Sequence, residues 1–269
     1  MAAGPEDPNA KVLEMAYATT EDGHRIYVKP TDPRALGLIA NKGRIIRGSL
    51  ELWRVALGLH EWQTVIDIGV NYGEMLVGVE IPEGAELIGF EPNTSLHKVL
   101  RKTLDARGIA IDLRSQAVAD RAGTARFAVD RTWSGTSSLY DERHDGSARW
   151  QLRDVEVTTL DEVLGGSGRS FCVKVDVEGF EREVVDGAAA SLDGTERWAL
   201  MLEIEHMDRG YLAELARTHD VFVKEKDSTV LRRVPGERIA VEELLDDPTL
   251  HRQDCLVLSP ALAGRSAIA

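Results

Sequence analysis

The stretch Val65-Ile66-Asp67-Ile68-Gly69-Val70-Asn71-Tyr72-Gly73 reads as an apolar strand running straight into a glycine turn. Such a strand is buried on both faces, and glycines at its end let a ligand lie against bare backbone. A second apolar run, Leu87-Ile88-Gly89-Phe90, ends in Glu91. Glu91 follows Gly73 by 18 residues, close to the roughly 20-residue spacing at which an acid accepts the hydroxyls of a bound ribose. Pro92 disfavours helical backbone at Glu91 and so keeps its carboxylate at the strand tip. The two runs together point to a nucleoside site at the carboxyl edge of an α/β sheet.

Outward from this unit, the pattern alternates as a doubly wound sheet requires. A helix with apolar residues Leu52, Val55, Ala56 and Leu59 leads into the strand at 64–68. Helix near 74–79, strand 86–90, helix 95–107 capped by Thr94, and strand 111–116 follow. Residues 123–129 read as an extra strand, and 130–149 as a polar loop containing Trp133-Ser134-Gly135-Thr136-Ser137-Ser138. A loop that long within a compact domain is usually functional, and it is the candidate lid. A short strand at 155–157 precedes a helix at 159–164, where Thr159 and Glu162 have capping-box spacing. The apolar run 171–177, a helix at 180–189, a strand at 198–204, a helix at 211–216 and strands at 221–223 and 255–258 around an acidic helix near 242–245 complete the chain. Residues 1–10 read as a fraying end, and Pro30 and Pro33 as breaks in an irregular stretch from 28 to 48. The division expected is an N-terminal extension, 1–60, shaping a substrate pocket, and one α/β domain, 61–269.

With 32 basic and 45 acidic residues the formal charge is −13, which disfavours attraction to phosphate backbones and argues against a nucleic-acid partner. Lys42, Arg44 and Arg47 form a local basic patch suited to a smaller anion. Cys172 and Cys255 sit in apolar runs and read as reduced core thiols. No run of about 18 apolar residues and no charged-then-apolar leader is present, so the expectation is no membrane partner and a cytoplasmic protein. The sequence leaves room for a homo-oligomer.

The turn Asp67-x-Gly69-x-Asn71-x-Gly73 departs from the dinucleotide fingerprint, because Asn71 stands where a glycine would admit a pyrophosphate. It suits a cofactor with a zwitterionic amino-acid end. In the central run, Lys174 and Asp176 are two apart and share a face of the strand, where mutual pairing is the plain explanation and a site at the sheet edge the functional one. Glu178 begins the next turn, as a base or as a partner for the helix N-terminus. Glu203, Glu205 and His206 close the following strand; a metal on Asp176, Glu205 and His206 is conceivable, but the spacing is not diagnostic and no metal is assigned. There is neither a G-x-S-x-G elbow nor a Walker lysine loop.

Four ordered blocks, Val65 to Gly73, Gly89-Phe90-Glu91-Pro92-Asn93, Val157-Thr158-Thr159-Leu160-Asp161-Glu162 and Val173-Lys174-Val175-Asp176-Val177-Glu178-Gly179-Phe180-Glu181, resemble the FkbM family of S-adenosylmethionine-dependent methyltransferases. Val70, where the family commonly has alanine, and Thr94, where it has proline, are small departures. The resemblance implies a Rossmann-like seven-stranded sheet with helices on both faces, preceded by a helical extension. It implies S-adenosylmethionine as cofactor, with Asp67, Gly69, Asn71 and Gly73 at the methionine end. Glu91, with Pro92 and Asn93, would serve the ribose, and Gln116, Ala117 and Val118 the adenine. The reaction implied is O-methylation of a hydroxyl on a small metabolite, sugar or glycosylated natural product. Asp176 or Glu178 is then the base, Lys174 tunes the carboxylate or steadies the oxyanion, and His206 is a further candidate. A nicotinamide-dependent dehydrogenase and a non-catalytic nucleoside-binding protein are the competing readings.

Overall fold

The computed structural model describes residues 16–43, 47–142 and 144–263; the expected fraying at 1–10 and Arg44 of the basic patch lie outside them. An antiparallel hairpin, β1 (Ala16–Thr19) and β2 (Arg25–Val28), precedes helices α1 (Pro33–Ala40) and α2 (Arg47–Gly58). Strand β3 (Thr64–Ile68), short α3 (Glu74–Val77), β4 (Glu86–Phe90), α4 (His97–Arg107) and β5 (Asp112–Arg114) build one half of the main sheet. Strands β6 (Ala117–Val118), β7 (Gly123–Asp130), β8 (Ser138–Leu139) and β9 (Trp150–Thr158) form a separate sheet in the order β6-β9-β7-β8. The other half comprises α5 (Leu160–Leu164), β10 (Phe171–Val175), α6 (Glu181–Asp186), α7 (Ala189–Gly194) and β11 (Trp198–Glu203). It continues through α8 (Arg209–Thr218), β12 (Asp220–Glu225), β13 (Leu231–Arg233), α9 (Arg238–Leu245), β14 (Leu250–Leu258) and α10 (Pro260–Ala263).

The main sheet runs β13-β12-β14-β11-β10-β3-β4-β5. Strands β11, β10, β3, β4 and β5 are mutually parallel, whereas β14 is antiparallel to both β11 and β12. The strand count is eight rather than the seven expected, because β13 folds back on β12 as a hairpin edge. Alternate residues of each strand enter different cores. Ile66, Ile88, Val173 and Leu200 pack with α6 and α8 on one face, while Val65, Leu87, Cys172 and Ala199 pack with α2 and α4 on the other. Helices on both faces follow directly from that alternation. Cys172 and Cys255 are free and buried in these opposite cores.

Three expectations need correction. The N-terminal segment is not wholly helical, since it opens with the β1–β2 hairpin, whose Ile26 and Val28 pack with Tyr72, Val77 and Leu96. Pro33 does not break structure but starts α1 at the first helical turn, where its missing N–H costs nothing, and Asp32 caps it by accepting from the Arg34 N–H at 3.1 Å. Thr94 does not cap α4; the chain turns once more on Asn93 Oδ1, which accepts from the Ser95 hydroxyl at 2.6 Å, and the helix begins at His97. At α5, by contrast, Thr159 accepts from the Glu162 N–H at 3.1 Å. No helix among the described residues is long and apolar enough to cross a membrane.

The residue pair at the centre of the sheet is charged. Lys174 and Asp67 are register neighbours on β10 and β3, both pointing to the α2 face, and Lys174 Nζ donates to Asp67 Oδ1 at 3.1 Å and to the Gly69 carbonyl at 3.3 Å. Asp176, the partner expected from the sequence, is the more distant acid, at 3.5 Å. Burial raises the Asp67 carboxyl to about 6, against the pull of Lys174. Burial alone would lower the Lys174 ammonium, but Asp67 and Asp176 outweigh it and raise it, so both partners are charged at neutral pH. Removing one partner strands the other: Lys174→Met should cost about 3 to 5 kcal/mol in urea unfolding, and Asp67→Asn/Lys174→Met should recover most of it. Additive losses in that cycle would contradict the pairing.

Candidate active site

The carboxyl ends of β10, β3, β4 and β5 lie side by side, a rim about 14 Å long at the usual strand spacing. Above it sits a cavity of about 610 Å³. Asp176 and Val177 wall it beyond β10, Gly69 and Asn71 beyond β3, Glu91 and Pro92 beyond β4, and Gln116 to Val118 beyond β5. Gly69 is required here by the backbone alone. It has φ +83°, and a Cβ on it would stand 2.0 Å from the Asp176 carbonyl oxygen.

Glu91 is 5% exposed, and its two carboxylate oxygens accept from the Asn71 and Asn93 N–H groups, each at 2.8 Å. Burial raises its carboxyl to about 7 although both backbone donors favour the charged form. Asn71 takes φ +50°, a conformation asparagine tolerates better than most residues, and so turns its N–H toward Glu91. Asn93 serves Glu91 and the Ser95 turn without lining the cavity. Gly73 also lies off the cavity; its φ is +83° and a Cβ there would sit 3.0 Å from Leu100 Cδ1, so it packs α3 against α4. Asp67 is fully buried beneath the rim with Lys174 and does not line the cavity.

The segment expected as a lid forms part of the wall. Ser134, Gly135, Ser137 and Leu139 close the cavity from above, with Phe127 of β7 behind them. Asp130 anchors this strap through Thr132, Thr136 and Arg149, and those bonds hold its carboxyl at about 2 although burial opposes them. Ser134 reaches both sides of the site, its N–H donating to Asp32 Oδ1 at 3.3 Å and its hydroxyl to Asn71 Oδ1 at 3.4 Å.

A second cavity of about 630 Å³ adjoins the first and shares Arg34, Gly69 and Asp176 with it. Its other walls include Ser49, Leu50, Glu74, Lys174, Glu203 and Asp254. Oxygens of Asp176, Glu178 and Glu203 come within 4.8 Å of one another, a spacing that can hold a cation and that equally occurs without one. Burial first, and then the neighbouring acids, raise Glu178 to about 8 and Glu203 to about 10. The turn N–H groups expected to seek Glu178 are instead received by Glu181, at 3.0 Å from Val177 and 3.0 Å from Gly179. His206 is half exposed, lies 3.8 Å from Glu178 and lines neither cavity; Glu205 points away toward Gln253. Arg47 of the basic patch pairs with Glu51 at 2.8 Å.

Sequence reasoning missed Arg34, Glu74 and Asp254. The Asp32-Pro33 pair is a helix-start signal that would have brought Arg34 into a first turn, but nothing in the sequence folds that turn back over the rim.

Residues 67–228 match the family described as the methyltransferase FkbM domain. The chain belongs to this family. Its methyl donor is S-adenosylmethionine. No curated protein matches the sequence. Among solved structures, the O-methyltransferase TomG of Streptomyces achromogenes, involved in tomaymycin synthesis, is 10% identical over 81% of this chain and 82% of its own, with TM-score 0.42. A SAM-dependent O-methyltransferase of Thermotoga maritima is 13% identical over 91% and 77%, and an rRNA methylase of Streptococcus thermophilus 11% over 80% and 96%, both with TM-score 0.39. Likenesses this distant carry no argument about the acceptor.

The cavity of this FkbM methyltransferase fits the donor on its own terms. An acid with an ionisable carboxylate stands over β4, apolar Ala117 and Val118 lie toward β5, and charged Arg34 and Asp176 stand at the β3 and β10 end. An ionised Glu91 accepts hydroxyl hydrogens and a protonated one does not accept both. With its carboxyl near 7 in the free protein, affinity for S-adenosylhomocysteine should rise about tenfold from pH 6 to pH 8. Calorimetry at the two pH values checks this, with Glu91→Gln flattening the profile; a wild-type affinity that falls or stays level would remove Glu91 from the contact.

Proposed function

We propose that this methyltransferase acts on a hydroxyl oxygen of a small acceptor, a metabolite, sugar or glycosylated natural product, held in the second cavity. The observation that carries the reading is the junction: Asp176 and Gly69 border both cavities, so a molecule in the second meets the methionine end of the first at Asp176. When bound, S-adenosylmethionine supplies a methyl carbon already activated by its sulfonium. The chain then has two tasks, alignment and proton removal. Holding the acceptor oxygen in line contributes up to about 7 to 11 kcal/mol, and a placed base roughly 10² to 10⁴-fold more.

Asp176 takes the hydroxyl proton in this account. Its side chain is 37% exposed at the junction, 3.5 Å from the Lys174 ammonium. Glu178, raised to about 8, is largely protonated at neutral pH and is therefore not the base; it lines neither cavity and stands beside Asp176. His206 acts only through Glu178. Lys174 belongs to the scaffold first, and its effect on the reacting oxygen passes through Asp176. The N-terminal residues complete the acceptor pocket, with Gly43, Ser49 and Leu50 on its wall.

Family membership weighs against the nicotinamide reading, and a non-catalytic nucleoside binder would hold S-adenosylhomocysteine without releasing methyl groups from any acceptor. Asp176→Ala should lower turnover at least about 100-fold while S-adenosylhomocysteine affinity stays within about threefold. Methyl transfer over a panel of hydroxylated metabolites, with calorimetry on the same preparations, checks both halves. Equal loss of binding and turnover would make Asp176 a cofactor ligand instead.

A further inference from the structure

We propose that Arg34, on the N-terminal helix outside the family-matched residues, binds the α-carboxylate at the methionine end of the cofactor. The inference rests on the reading of the first cavity as the S-adenosylmethionine site, and goes beyond it by assigning the group that anchors the anionic end.

The methionine end carries an ammonium and a carboxylate, and the β10 end of the cavity wall holds Asp176, with oxygens of Glu178 and Glu203 within 4.8 Å of its own. A carboxylate placed among acids needs a cation close by. Two cations are near this end of the rim. Lys174 Nζ is already committed to Asp67, to the Gly69 carbonyl and to Asp176, and it lines only the second cavity. Among the described residues, Arg34 is the one basic residue on the wall of the first.

Geometry then favours Arg34 a second time. Its Nη2 pairs with Glu74, yet its buried Nε has no hydrogen-bond partner among the described residues. A guanidinium carries five N–H donors in a planar fork that matches a carboxylate, so the Glu74 pair leaves capacity for another. A buried N–H without a partner is costly and marks a place where an acceptor is missing. The strap is shaped around the same group: a Cβ at Gly135 would fall 2.7 Å from Arg34 Nη1, so a residue without a side chain gives the guanidinium its room. Asp32 fixes the residue from behind, since its carboxylate caps α1, accepts the Tyr72 hydroxyl at 2.7 Å and receives the Ser134 N–H. The helix, the turn after β3 and the strap therefore converge on the position of Arg34.

The test compares S-adenosylmethionine with its decarboxylated form, which keeps the sulfonium, the amine and the nucleoside and loses only the carboxylate. By calorimetry the wild-type protein should favour the intact cofactor about 10- to 100-fold, the range of a hydrogen bond to a charged group. Arg34→Gln should erase that preference while leaving the decarboxylated form bound within about threefold of wild type. Because Arg34→Gln strands Glu74, Arg34→Gln/Glu74→Gln is measured beside it with thermal melts of both, and should give the same loss of discrimination in a folded protein. A variant that melts like wild type and still prefers the intact cofactor overturns the proposal, as does equal loss of both ligands in the double variant. If the wild type holds neither ligand, the reading of the cavity itself fails, and that result is distinct from either.

Discussion

The ion pair between Lys174 and Asp67 is the constraint around which the site is arranged. Two central strands of an α/β sheet have no polar surroundings at mid-strand, so one charge there would be prohibitive and two are tolerable only in register. Once formed, the pair does more than neutralise itself. Lys174 also donates to the Gly69 carbonyl and stands beside Asp176, so the same ammonium ties together the ends of β3 and β10, where the site begins. The glycine at 69 is the backbone counterpart of this clamp, because no side chain fits between it and Asp176.

Above that clamp the rim gathers carboxyl groups. Oxygens of Asp176, Glu178 and Glu203 come within 4.8 Å of one another and Glu91 is buried beyond β4; burial raises Glu91, Glu178 and Glu203, and the neighbouring acids add to the shifts of Glu178 and Glu203. Such crowding favours a stable fold less than it favours an occupant with positive character, and a sulfonium with an ammonium answers that description. Arg34 introduces a counterweight from the N-terminal helix, where it pairs with Glu74 of the turn helix after Gly73.

How much of this was legible in the sequence depended on the range of the interaction. The strands β3, β4, β10 and β11 followed from short apolar runs, and the positions of Gly69 and Glu91 on the cavity wall from their places at strand ends, because these are local patterns. Thr159 as a cap was legible for the same reason. The partner of Lys174 was not: spacing of two along one strand suggested Asp176, but a lateral neighbour in a parallel sheet, 107 residues away, is the closer acid. Asp67 accordingly left the cavity for the core. The short β8 escaped notice, and of the long β9 only 155–157 was read as strand, because polar residues over 130–154 resemble a loop until strands pair. Arg34 and Asp254 meet the site only through tertiary folding, which no local period encodes.

If the site is as proposed, one nucleoside-bearing sulfonium lies along the tips of β10, β3, β4 and β5 beneath the strap. Hydrogen exchange read by mass spectrometry, with and without S-adenosylhomocysteine, tests it most directly. Protection should appear together in the segments around Gly69 to Asn71, Glu91 to Asn93, Gln116 to Val118 and Ser134 to Ser137. Protection confined to other segments, or produced by NAD and not by S-adenosylhomocysteine, would contradict it.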